Sequence, residues 1–143
     1  MEIITVGEKF EGKYDFRETC FGIVRNNNKI LLVNKNNQYS LVGGGIEEKE
    51  SFEDCLKREF LEESGYMITS FKELVRIDCY WLAASKYPML SRANIFEVSV
   101  DVNNKKEALE SDCFVEWMDI DSASNLLPLP YHKKALEYYM YMR

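Results

Sequence analysis

The chain has one histidine, three prolines and four cysteines. With His132 alone, no Ser-His-Asp or Cys-His arrangement can be argued. His132 stands between Tyr131 and Lys133, and is expected at the surface or at a helix start rather than in catalysis. Cys20, Cys55, Cys79 and Cys113 are scattered and form no C-x-x-C pair, so they read as reduced, mostly buried thiols of a cytoplasmic protein. The opening MEIITVGEKFEG has no basic region leading into an apolar run, so no signal peptide is expected. No apolar stretch approaches the length of a membrane span, so no membrane partner is expected either. Cations are in deficit: 18 Lys and Arg stand against 24 Asp and Glu, a net charge of −6. That balance argues against a nucleic-acid polymer or an anionic membrane surface as partner. It also means that a polyanionic substrate would need a metal ion or a local basic patch. Repeats, low-complexity linkers and internal boundaries are missing too, and 143 residues suffice for a core, so 1–143 reads as one domain.

What is present concentrates in Gly43–Tyr66, GGGIEEKESFEDCLKREFLEESGY. Three glycines allow torsions and close approaches that a Cβ would block. Ser51 is a good N-cap and Asp54 approximates a capping box. Nothing breaks a helix from Phe52 to Glu63, and Gly65 sits where a C′ glycine should. Glu59, Glu62 and Glu63 share one helix face, and that face continues the line of Phe52, Cys55 and Leu56. The acids therefore point where the core face points. Crowding like charges costs a few tenths of a kcal/mol per i,i+4 pair even in solvent. A divalent cation would remove that cost, and carboxylate oxygens are the hard ligands that Mg2+ and Mn2+ prefer.

These residues resemble the Nudix box, G-x5-E-x7-R-E-U-x-E-E-x-G-U, with U bulky and apolar. Gly44, Glu50, Arg58, Glu59, Glu62, Glu63 and Gly65 fall at the required spacing, and Phe60 and Tyr66 fill the U positions, so the box covers 44–66. The departures are aromatic U residues, Val42 where many members carry proline, and Lys49 where glycine often precedes the first Glu. None removes a charged group. The resemblance implies an α/β/α sandwich with a mixed β-sheet and the box helix over the sheet.

The rest of the chain agrees with an α/β class. Strands are expected at Ile3–Val6, Thr19–Val24 and Lys29–Val33, the last two as a hairpin about the turn Arg25–Asn28. A polar turn at 34–38 leads to a short strand, Tyr39–Val42. After the helix, 66–77 and 78–81 read as strand, 85–91 as a loop broken by Pro88, 93–102 as strand, 103–110 as a polar loop and 114–118 as strand. Asp121 or Ser122 can cap a short helix through Leu126, and Tyr131–Tyr141 reads as an amphipathic helix.

The resemblance also implies a chemistry: metal-dependent hydrolysis of a phosphoanhydride bond in a nucleoside diphosphate linked to another group. Divalent cations, Mg2+ or Mn2+, would neutralise charge and position water. Glu59, Glu62 and Glu63 would supply ligands, with a backbone carbonyl of Gly43 or Gly44. Arg58 would pair with Glu50 and orient Glu59 rather than touch substrate. The general base stays open between Glu59 and an acid beyond the box. Glu97, Glu110 and Glu116 are the options, Glu110 preferred for its place in the polar loop, although a solvated surface carboxylate is the plainer reading of each. Arg17 could fork onto a substrate phosphate, although a solvated surface arginine is the plainer reading. Tyr80 and Trp81 could stack on a base, as could Tyr87 and Phe96, against a plainer role in the core. Markers of ADP-ribose, dinucleoside-polyphosphate and NADH hydrolases do not match cleanly. A MutT-like hydrolase of nucleoside triphosphates, oxidised ones included, remains by default. The alternative is a catalytically silent, nucleotide-binding sensor, against which the full acid set speaks. The implied partners are a small-molecule nucleotide and a second copy of the chain in a homodimer.

Overall fold

The computed structural model of the protein describes residues 1–142. Its central helix, α1 (Phe52–Glu63), starts where Ser51 Oγ accepts the Asp54 amide at 3.1 Å. Cys55, Leu56 and Phe60 are fully buried along one side of it. Burying one such side chain as large as leucine or phenylalanine contributes about 1.5–3 kcal/mol. The helix closes at Gly65, whose φ of +74° lets its amide donate to the Phe60 carbonyl at 3.0 Å. A Cβ on Gly65 would strike the Lys106 carbonyl, and the Lys106 amide donates to Gly65 O at 2.9 Å. The polar loop at 103–110 is thereby tied to the end of α1.

Two sheets lie beside this helix. The strands are β1 (Ile3–Val6), β2 (Asp15–Ile23), β3 (Arg25–Asn26), β4 (Lys29–Lys35), β5 (Gln38–Ser40), β6 (Val42–Gly45), β7 (Ile68–Leu82), β8 (Pro88–Val100) and β9 (Cys113–Asp119). One mixed sheet runs β1-β7-β8-β2-β6, with β1 parallel to β7 and β2 parallel to β8. In the other, β4 pairs with β3 and β5 and, separately, with β9. The short helix α2 (Ile120–Leu126) and the last helix α3 (Pro130–Tyr141) complete the chain.

The core has two halves. Cys55, Leu56 and Phe60 of α1 pack with Cys20, Leu31, Val33, Phe96 and Val98. Ala123, Ala135, Leu136 and Tyr139 of α2 and α3 pack with Phe21, Ile23, Ile30, Leu32 and Ile95. The run Ile30–Val33 thus feeds alternate residues to both halves, which explains its unbroken hydrophobicity. The class is α/β with a mixed sheet and helices packed on both sides.

Several sequence expectations shift. Thr19–Val24 and Lys29–Val33 do not pair as one hairpin. Strand β2 pairs with β6 and β8, and only the two residues of β3 turn back on β4 through Asn27, at φ +57°. The expected strand Tyr39–Val42 is split at Leu41 between the two sheets. The expected loop at 85–91 is strand from Pro88 onward, because proline is tolerated at the first residue of a ladder, where Pro88 faces Leu82. Helix α2 is capped two residues before Asp121, the earlier of the expected caps: the Asp119 side chain accepts the Asp121 amide.

Gly65→Ala is expected to lower the unfolding free energy by about 1–3 kcal/mol. Gly12→Ala, also at positive φ but with open space at its Cβ position among the described residues beyond its chain neighbours, should cost less. Urea denaturation of the two variants checks this.

Candidate active site

The site begins with Arg58 on α1. Its Nε and NH2 groups donate to the two oxygens of Glu50 at 2.6 and 2.9 Å, a bidentate pair. NH1 reaches Glu59 Oε1 at 2.9 Å and Glu62 Oε2 at 3.3 Å, and NH2 also reaches the Gly45 carbonyl at 3.0 Å. One guanidinium therefore joins the glycine loop to three carboxylates. The Arg58 pair holds the Glu50 carboxyl down at about 2, and Glu50 raises Arg58 in turn.

The other acids respond to burial. Glu59 is 8% exposed, and burial raises its carboxyl more than Arg58 lowers it. Burial pushes Glu63 up to about 8, with the charges of Glu59 and Glu110 adding to it, although Gly43 N–H donates to Glu63 Oε1 at 2.9 Å. The glycine loop makes room for this cluster. A Cβ on Gly44 would stand 2.5 Å from Glu59 Oε1.

Glu110 enters from the loop beyond the box. Its amide donates to the Glu62 carbonyl at 2.9 Å. One oxygen each from Glu59, Glu62 and Glu110 lie within 4.8 Å of one another. Lys35 stands 3.7 Å from Glu110 at the rim. The other two acids offered as base lie elsewhere: Glu97 is 3.9 Å from Lys72, and Glu116 accepts from Asn34 at 3.0 Å. A hard divalent cation fits this donor set, since the oxygens converge and a buried carboxyl there titrates far above its ordinary range. Glu59, Glu62 and Glu110 are the acids whose oxygens converge, while Glu63, expected as a ligand, is not in that set and accepts from Gly43 N–H.

Beside Gly43 and Gly44 opens a cavity of about 550 Å³ lined by Arg17, Thr19, Phe21, Ser40, Cys79, Trp81, Ser91, Leu129, Pro130, Tyr131 and His132. Of the residues expected to bind substrate, Arg17 and Trp81 are there. The Arg17 guanidinium lies over Gly45, 3.6 Å from where its Cβ would be. Trp81 is fixed by its indole N–H donating to Ser91 Oγ at 2.9 Å. Tyr80 is not among the lining residues. Successive strand residues face opposite ways, and Tyr80 packs edge-on against Tyr14 with ring centroids 5.3 Å apart. His132 corrects an expectation: it does lie in the first turn of α3, but it is 1% exposed. A signal for this existed, because His132, Ala135, Leu136 and Tyr139 follow the i, i+3, i+4, i+7 pattern of one buried helix face. No sequence signal marked Thr19, Ser40 or Ser91.

A family model described as the NUDIX domain matches residues 16–141. The chain is similar to a prenyl-diphosphate phosphatase of Methanosarcina mazei, 26% identical over 121 residues, which are 80% of this chain and 69% of that protein. It is similar in structure to a NUDIX hydrolase from Nitrosomonas europaea, with TM-score 0.67 and 21% identity over 88% of this chain and 89% of that one. A MutT NUDIX hydrolase from Burkholderia pseudomallei gives TM-score 0.65 and 22% identity over 87% of this chain and 98% of that one. The structural likenesses establish the fold.

The Glu63 carboxyl sets a pH dependence. Its folded value, about 8, lies above the ordinary 4.5, so its contribution to stability is full below 4.5 and is lost as pH rises through 8. The melting temperature of the metal-free chain should fall between about pH 5.5 and pH 8. That slope should flatten in Glu63→Gln and with saturating divalent cation, both checked by thermal scans across that range.

Proposed function

The chain belongs to the NUDIX domain family, and from that premise we propose that it is a metal-dependent pyrophosphohydrolase whose substrate is a nucleoside triphosphate, oxidised ones included. The convergence of carboxylate oxygens from Glu59, Glu62 and Glu110 within 4.8 Å, beside a cavity holding Arg17, carries this reading.

Mg2+ or Mn2+ held by Glu59, Glu62, Glu63 and a carbonyl of Gly43 or Gly44 would neutralise phosphate charge and acidify water. Arg58 keeps Glu59 turned into the site and is itself held by Glu50. The base, Glu110 or Glu59, takes a proton as the water oxygen bonds to phosphorus. The bridging P–O bond breaks, giving nucleoside monophosphate and pyrophosphate. Arg17 forks onto a phosphate, and Trp81 offers a face to the base. We read the 143 residues as one such domain, acting in the cytoplasm on a small molecule and pairing as a homodimer. No helix among the described residues is long and apolar enough to cross a membrane.

A second reading is a prenyl diphosphate as substrate. The similarity to a prenyl-diphosphate phosphatase and the Phe21, Trp81 and Leu129 walls of the cavity favour it.

A release assay with nucleoside triphosphates, oxidised nucleotides and prenyl diphosphates, with either metal or a chelator, separates the two. We expect metal-dependent turnover of nucleotides. Glu62→Gln and Glu63→Gln should each lose turnover by roughly two or more orders of magnitude while keeping the fold. Full activity in both would sink the metal-site assignment. Absence of any turnover, with nucleotide still raising the melting temperature, would instead support a silent sensor.

A further inference from the structure

His132 takes no part in the chemistry above, yet its imidazole is held in one tautomer in the cavity wall. The Leu41 amide donates to Nδ1 at 3.2 Å, so Nδ1 carries the lone pair and the ring proton sits on Nε2. Burial holds the imidazole down at about 3, so the ring is neutral throughout the physiological range. Nε2 is shielded from solvent and has no hydrogen-bond partner among the described residues. Buried polar groups in folded chains are nearly always paired, and an orphan one marks a place where something else supplies the partner. The rings of Phe21 and Tyr131 stand against the imidazole at centroid distances of 4.3 and 4.7 Å. Both also line the cavity. Phe21 is buried and Tyr131 only partly so, which makes Tyr131 the ring that an entering head group would displace.

We propose that His132 is a specificity-determining residue: its Nε2–H donates to a carbonyl oxygen on the non-phosphate end of the substrate, selecting an oxo-bearing nucleobase over a hydrocarbon chain. The proposal rests on the hydrolase reading and decides between its two substrate classes. Four observations meet here: an orphan donor, a fixed tautomer, a cavity that a head group could fill, and glycines at that cavity's floor that also border the acid cluster. A prenyl chain would fill the same space and leave Nε2 unmet. A site with an unmet donor discriminates against a ligand that cannot pair with it.

The test compares nucleotides that differ in one exocyclic oxygen. Inosine triphosphate is set against purine riboside triphosphate, and uridine triphosphate against its 4-deoxo analogue, with geranyl diphosphate as the hydrocarbon member. In the unmodified chain the oxo form of the better pair should lead by about 10- to 100-fold in kcat/KM, mostly through KM. His132→Phe keeps a ring against Phe21 and Tyr131 but has no donor, so the ratio of oxo to deoxo kcat/KM should collapse towards one. His132→Gln can accept from Leu41 and still donate, and should restore part of the ratio, a pattern that a merely structural role would not produce. Should His132→Phe fail to fold, the ratios in the unmodified chain and in His132→Gln still decide. Equal rates on oxo and deoxo forms, or preference for geranyl diphosphate, would overturn the proposal and leave the hydrolase reading standing. No turnover of any member with metal present would remove both.

Discussion

Arg58 reaches Glu50, Glu59, Glu62 and the Gly45 carbonyl from one guanidinium, and the other parts of the site are arranged around that fork. Four carboxylates on or beside α1 would repel one another strongly in a half-buried setting. Arginine suits the task because its planar donors bind one carboxylate in bidentate fashion and still serve others. A lysine would neutralise as much charge but could not fix three partners in place. Only Glu50 is fully satisfied by the fork. Glu59 is held by it and still raised by burial, and Glu63 lies beyond its reach. The arrangement fixes the acids without quenching them, which is the state a cation site requires.

The glycines make this geometry sterically possible. Glu59 occupies the space that a side chain on Gly44 would take. The amide of Gly43 faces Glu63. Helix and loop are therefore one unit, pinned at one end by Ser51 and at the other by Gly65 against Lys106. That last contact carries the polar loop to the end of α1 and delivers Glu110 to Glu62. A backbone constraint at a glycine thus helps to place an acid 45 positions further along the chain.

The box was legible because everything in it is local. Ser51, the helix through Glu63, Gly65 and the pairing of Arg58 with Glu50 and Glu59 are all set by spacings of a few residues, where helix periodicity is a strict rule. Strand pairing was not legible, because register and partner depend on residues far away in sequence. Nothing in Thr19–Val24 says that it pairs with Gly43 and Ile95 rather than with the nearer Lys29–Val33. The alternation of β7 decided Tyr80 against Trp81, and that depended on knowing which face met the cavity.

The cavity shows the same limit from the functional side. Its wall draws on β2, β5, β6, β7, β8 and the start of α3, so no window of sequence contains it. An acidic helix face and a permissive loop can be written in two dozen consecutive residues, and only Glu110 of the converging acids comes from outside them. Recognition of a head group needs groups facing one space from several directions, which only the assembled sheets provide. His132 belongs to that second kind. Its helix periodicity fixes it as buried, but that its Nδ1 accepts from the Leu41 amide follows from β5 and β6 parting at Leu41, and its Nε2 has no partner among the described residues. The cavity wall is set by the tertiary fold, while two of the three converging carboxylates, Glu59 and Glu62, are set by the helix, and wall and cluster meet at Gly43 and Gly44.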